Sequence, residues 1–307
     1  MQFTPVLPAG DKTYEGFVYM RYIVGYTPDS RGEDALALAA ALARNPGAQL
    51  ELVHVLDGPR PSEASSGPEA TVQQIRAGRA EGWLNEALNS FPQDVPVSTQ
   101  VRYAPSFAEG LIEAAEEAAA KLIVVGAARN GLLGYFTVGS VASALLHAST
   151  VPLALVPSGY QAPESIGRIT CAIGTRPGAE ALFDVALDAA SRRSVPLRLI
   201  SLLALDAHDD EGRLAAEQAG AHAQQVLERA SERSNDALQL SAKVAQGKSI
   251  EDAIEDLEWN SDEIVLIGSS RLAQRRQLFL GATASKMLRS LPVPMVVVPR
   301  EYVSLDD

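Results

Sequence analysis

Residues 121–157 read KLIVVGAARNGLLGYFTVGSVASALLHASTVPLALVP, and this stretch decides the fold. The apolar run from Leu122 to Val125 ends at Gly126, and a loop with Gly131 and Gly134 follows. Gly139-Ser140 then opens an amphipathic helix, and a second apolar run from Val151 to Val156 ends at Pro157. Strand, glycine-rich loop, helix and strand make half of a nucleotide-type site, because free backbone N–H groups at a helix start attract phosphate. Residues 263–299, EIVLIGSSRLAQRRQLFLGATASKMLRSLPVPMVVVP, repeat the pattern. Gly126 answers to Gly268, Gly139 to Gly281, Pro152 to Pro294 and Pro157 to Pro299, each 142 positions on.

Working outward, residues 22–26 form a short buried strand, and Thr27-Pro28-Asp29-Ser30 turns the chain into a helix over about 32–44, with Asp29 or Ser30 as its N-cap. Residues 50–56 read as a second strand, 71–89 as a helix, 97–103 as a third strand and 106–120 as a helix. Strands alternating with helices make βαβ units, and hence a parallel sheet with helices on both faces. The second half follows the same order at offsets of 142 to 147 residues, as loop insertions and deletions would produce. The expected organisation is a tail over 1–17, one domain over 18–157, a linker over 158–168, a second domain over 169–300 and a tail over 301–307.

The 307 residues carry a net charge of -12, a pI near 4.9 and 47% apolar residues. Two cores of ordinary size follow from these figures. Broad nucleic-acid or anionic-membrane binding does not, because phosphate contacts need clustered Lys and Arg. Cys171 is the single cysteine and lies in an apolar run, so it is read as core in a reducing cytoplasm. The first residues lack a basic segment followed by an apolar one, and no signal peptide is expected.

The chain resembles the universal stress protein family in its tandem two-domain form. The turn Thr27-Pro28-Asp29-Ser30, the strand carrying His54-Val55, and a loop of the form G-x2-x-x9-G-S, placed after strand four in both halves, carry the resemblance. It implies two open five-stranded parallel sheets of order 3-2-1-4-5, of the adenine nucleotide alpha hydrolase-like type. The ligand crevice would lie where the strand order reverses, between strands one and four. ATP, with Mg2+ accompanying it, is the implied ligand of the first half. Tyr26, Thr27, Pro28, Val55, Gly126, Arg129, Gly131, Gly139, Ser140 and Val141 would line that site. The resemblance also implies that the apolar edge strands, Val151 to Val156 and Val293 to Val298, pair within one chain, with a homodimer of tandem chains as a further step.

Two departures from the family's nucleotide-binding pattern, G-x2-G-x9-G-[ST], bear on the chemistry. An Asp ends strand one in ATP-binding relatives, where this chain has Thr27, and Arg129 stands at the second glycine. Arg129 either reaches a phosphate or occupies its place. In the second half Arg271 stands at that glycine, Ala282 follows Gly281, and either Ile173 or Thr175 takes the Asp position. The first half is therefore expected to be a modified nucleotide site and the second a degenerate copy. His54 is read as a packed histidine. His208, Asp209, Asp210 and Glu211 are read as a helix start, and Glu251, Asp252, Glu255 and Asp256 as a solvated face. No catalytic constellation can be assembled, so the expectation is a non-enzymatic regulatory protein, with a nucleotide-independent scaffold as the alternative and a slow nucleotide hydrolase as the third reading.

Overall fold

The computed structural model describes residues 20–44, 47–58, 68–129, 136–137, 139–173, 180–204, 210–233, 238–269, 278, 281–299 and 302. The first copy runs β1 (Arg21–Gly25), α1 (Ser30–Arg44), β2 (Gln49–Leu56), α2 (Pro68–Ser90), β3 (Val97–Tyr103), α3 (Phe107–Glu117), β4 (Leu122–Gly126), a short hairpin of β5 (Ala128–Arg129) and β6 (Phe136–Thr137), α4 (Ser140–Ala148) and β7 (Leu153–Val156). The second copy repeats it as β8 (Arg168–Ala172), α5 (Glu180–Arg193), β9 (Leu197–Ala204), α6 (Asp210–Arg233), β10 (Leu240–Gly247), α7 (Ile250–Glu255), β11 (Glu263–Gly268), α8 (Ala282–Ser290) and β12 (Met295–Val298). The hairpin falls inside what the sequence reads as loop, because two residues per strand are too few to show alternation.

Each copy has the order 3-2-1-4-5, and the two copies unite in a single ten-stranded sheet, β10-β9-β8-β11-β12-β7-β4-β1-β2-β3. The junction is antiparallel, with Leu153 opposite Val297, Ala154 opposite Val296 and Leu155 opposite Met295. The pairing strands are shorter than the apolar runs suggest and start at Leu153 and Met295 rather than Val151 and Val293. Proline explains this, since Pro152 and Pro294 have no N–H to donate. Their carbonyls still accept from Ile123 N and Val265 N, each at 2.9 Å.

Both faces of the sheet are covered. Leu38, Leu42, Leu84, Leu187 and Val226 from α1, α2, α5 and α6 pack on one face; Leu111, Leu145, Leu146, Met287 and Leu288 from α3, α4 and α8 pack on the other. Each cluster draws residues from both copies, so the core continues across the junction. Side chains beyond the strands cross it as well. Tyr160 Oη donates to Ser261 O at 3.1 Å, and Arg193 Nη2 of α5 donates to Leu42 O of α1 at 3.1 Å. Tyr302, which matches Tyr160, packs near Met20 and Tyr22 of the first copy.

Candidate functional site

The last registered pairs of β1 are Gly25 with Val53 of β2 and Val24 with Val124 of β4. Beyond them the chain turns sharply. Tyr26 N donates to Val53 O at 3.0 Å, and Tyr26 O accepts from His54 Nδ1 at 2.9 Å, which fixes the Nδ1–H tautomer when the ring is neutral. The His54 ring is buried edge-on between Trp83, 5.4 Å away, and Phe107, 6.0 Å away. It positions the end of β1.

Asp29 caps α1. Its Oδ1 accepts from Thr27 Oγ1 at 2.7 Å, Arg31 N at 3.0 Å and Gly32 N at 3.3 Å, while Oδ2 accepts from Arg31 Nε at 3.0 Å. Partial burial pushes this carboxyl up. The bonds from Arg31, Thr27 and Gly32 outweigh that and hold it at about 2. The hydroxyl proton of Thr27 is therefore committed to Asp29, and Thr27 offers a ligand an acceptor only. Pro28 completes the turn. The Tyr26 side chain is buried, and burial pushes its phenol up.

The start of α1 lies directly over the end of β4. A Cβ on Gly126 would stand 2.8 Å from the backbone C and Cα of Arg31 and closer still to its carbonyl oxygen. Gly126 is thus required by helix–strand packing whether or not a ligand binds. Val55 is buried, with its methyl groups against Gly110 of α3. Its backbone turns to the same side as that of Val53, because parallel strands direct alternate residues to the same neighbour. That side is β1, and Val55 lies past the last registered pair.

Gly139 is the N-cap of α4, with φ −64° and ψ 166° and no side-chain cap; Ser140 is exposed and Val141 half-buried. Those angles are open to any residue. Arg129 stands in β5, paired with Phe136; Gly131 and the side chain of Arg129 lie outside the described residues. The same hairpin brings β6 against α8 of the other copy, and in the reverse direction Leu278 N donates to Ser149 O at 3.1 Å. Part of each glycine-rich loop therefore builds the contact between copies, a use that the loop's composition does not betray.

In the second copy Ile173 N donates to Ile200 O at 2.9 Å, the bond that Tyr26 makes to Val53. Ile173 consequently matches Tyr26 and does not take the Asp position, which corrects one of the two alignments; Thr175 lies outside the described residues. Gly281 caps α8 with φ −69° and ψ 169°, as Gly139 caps α4. Of the acidic residues at the start of α6, Asp210 pairs with Arg213. Asp252 joins Ser249 in a capping box on α7. Among the described residues no group of His, Cys, Asp or Glu is arranged to hold a metal ion. No described helix is long and apolar enough to cross a membrane.

One charged cluster escaped the sequence reading. Glu263, fully buried at the start of β11, accepts from Arg168, Thr170, Arg198 Nη2 at 2.7 Å and Asn260 N at 3.1 Å. Arg198 also lies 4.9 Å over the Trp259 ring. Comparing the copies would have revealed it, since Lys121 and Glu51 stand at the positions of Glu263 and Arg198.

A sheet of this order with a crevice at its reversal defines a nucleotide-binding type of α/β fold. The model of the universal stress protein family matches residues 19–157 and again 165–299, and the chain belongs to that family as a tandem of two such domains. Universal stress proteins of Mycobacterium tuberculosis H37Rv and Mycobacterium bovis are each 28% identical over 292 residues, covering 91% of this chain and 100% of theirs. Among solved structures, a universal stress protein from Archaeoglobus fulgidus superposes with a TM-score of 0.61 at 16% identity, over 91% of this chain and 98% of that one. A protein of unknown function from Pseudomonas aeruginosa PAO1 superposes at 0.56 and 17%, over 92% and 93%. At these identities the structural likeness speaks for the fold alone.

Proposed function

We propose that this protein is a non-catalytic, cytoplasmic stress-response regulator whose first copy binds an adenine nucleotide. The observation that carries this reading is the pairing of two open features at one strand-order reversal. The backbone of Val55 faces past the end of β1, and α4 begins at Gly139 with no side-chain cap and with the Ser140 hydroxyl exposed. The first suits the edge of a base; the second suits phosphate oxygens. Thr27 adds an acceptor for a ribose hydroxyl. Asp29 is held by Arg31, Thr27 and Gly32, so Mg2+ would rest on phosphate oxygens rather than on a carboxylate of this turn. Binding would bias the partner surface rather than drive turnover.

Calorimetric titration of the full chain with ATP and Mg2+ tests the reading. Saturable heat is expected. Ser140→Ala should weaken the affinity about fivefold, the worth of one hydrogen bond near 1 kcal/mol. No heat at millimolar ligand would overturn it, and phosphate release faster in the parent than in Ser140→Ala would overturn the non-catalytic part. A nucleotide-independent scaffold is the second reading, favoured by the loop contacts between copies. It predicts that Gly139→Trp leaves partner capture intact.

A further inference from the structure

Where the two copies meet, α1 and α5 lie over the same face of the sheet and leave a cavity of about 110 Å3 at the junction. Leu122, Leu266 and Val296 form its floor, drawn from both sides of the antiparallel pair; Leu42 of α1 with Val185 and Ala189 of α5 form its roof. Its described lining includes none of the residues that form the strand-reversal crevice of either copy.

Positive charge gathers at this apolar space. Among the described lining residues Lys121, Arg192 and Arg193 stand against the one carboxylate of Asp188, in a chain whose net charge is -12. Asp188 accepts from Arg192 Nε at 2.8 Å. Arg193 donates to Leu42 O at 3.1 Å and to Tyr22 Oη at 3.3 Å, which fixes its guanidinium between α5, α1 and β1. Repetition of the domain does not account for these cations. Gly178 answers to Gly32, 146 positions on, and at that offset Arg192 and Arg193 answer to Pro46 and Gly47 and Asp188 to Leu42. A helix C-terminus welcomes cations, which suits the two arginines of α5. Lys121 precedes a strand, however, and has no such reason to be there.

We propose that this cavity binds a compact apolar carboxylate, one ring or a short chain bearing a single carboxylate, in a site that the two copies build jointly. Its volume is close to that of an apolar cavity of about 150 Å3 that takes up benzene, so the body of the occupant is one ring and not a nucleotide. The apolar floor and roof remove that body from water. Lys121, Arg192 and Arg193 receive the carboxylate, as charge-assisted hydrogen bonds do. Ligand sites favour the interface between domains, and here that interface lies within one chain. The site is separate from nucleotide binding in the first copy.

Methionine makes the test direct, because Met20 lines the cavity while Met287 packs on the opposite face of the sheet. The full-length protein, labelled with 13C at the methionine methyls, is titrated at neutral pH with benzoate and separately with benzamide, its neutral counterpart. The Met20 signal should shift saturably at millimolar benzoate while Met287 stays still, and benzamide should bind about fivefold more weakly. Lys121→Gln should weaken benzoate about fivefold and leave benzamide unchanged. Ala189→Phe, which fills the cavity from the roof, should abolish both shifts. An unchanged Met287 signal certifies the fold of a variant, and if Ala189→Phe loses it Lys121→Gln decides. An unmoved Met20 signal, a non-saturating shift shared with Met287, equal affinity for benzamide, or undiminished benzoate affinity in either folded variant would each overturn the proposal.

Discussion

At the scale of single residues, a match in sequence between the two copies conceals a difference in need. Gly126 and Gly268 occupy the same place in the repeat; the backbone of Arg31 crowds the first, whereas among the described residues a Cβ on the second would meet Leu182, 3.7 Å away. Gly126→Ala should therefore destabilise the protein by about 2–3 kcal/mol, as overpacking a rigid backbone contact does, while Gly268→Ala stays within about 0.5 kcal/mol. Urea unfolding of the two variants checks the contrast. Asp29 yields a pH prediction. Its carboxyl is held at about 2, below the ordinary 3.8, so its contribution is present above about pH 4 and disappears as the pH falls toward 2. Asp29→Ala should cost about 1 kcal/mol at neutral pH, the worth of an N-cap, and the gap to the parent should close over that acid window.

At the scale of elements, the strands were legible because a parallel sheet covered on both faces writes its strands as unbroken apolar runs, and their order followed from the family resemblance. The end of β1 and the cap at Gly139 could likewise be anticipated. What composition could not show depends on shape. The β5–β6 hairpin is too short to have a period. The Glu263 cluster hides in strands because its charges satisfy one another across β8, β9 and β11. Burial pulls the Arg198 guanidinium down and Glu263 pulls it back up, so the carboxylate keeps the pair tenable. Glu263→Leu should therefore destabilise by about 3–5 kcal/mol, because it leaves Arg198 buried beside Arg168 without a counter-charge. Thermal unfolding measures the loss; a change under 1 kcal/mol would show that the cluster is not held by its carboxylate.

At the scale of the molecule, the antiparallel junction joins two domains through one sheet and a core that runs across both copies. The edge strand of each copy is apolar and would be a pairing hazard alone; each finds its partner in the other copy, and helices seal both faces. The chain supplies its own reporters, with Trp83 in the first copy and Trp259 in the second. In single-tryptophan variants, Trp83→Phe and Trp259→Phe, the fluorescence midpoints in urea should coincide, since neither copy can open without exposing the shared core. Ala154 is fully buried and faces Val296 across the junction. Ala154→Asp would place an unpaired carboxylate there, at several kcal/mol, and the penalty falls on the contact between the copies rather than on either glycine-rich crevice. In that background the two midpoints should separate, with the second copy unfolding independently of the first. Midpoints that stay together in Ala154→Asp, or that already differ in the parent, would mean that the junction does not couple the copies.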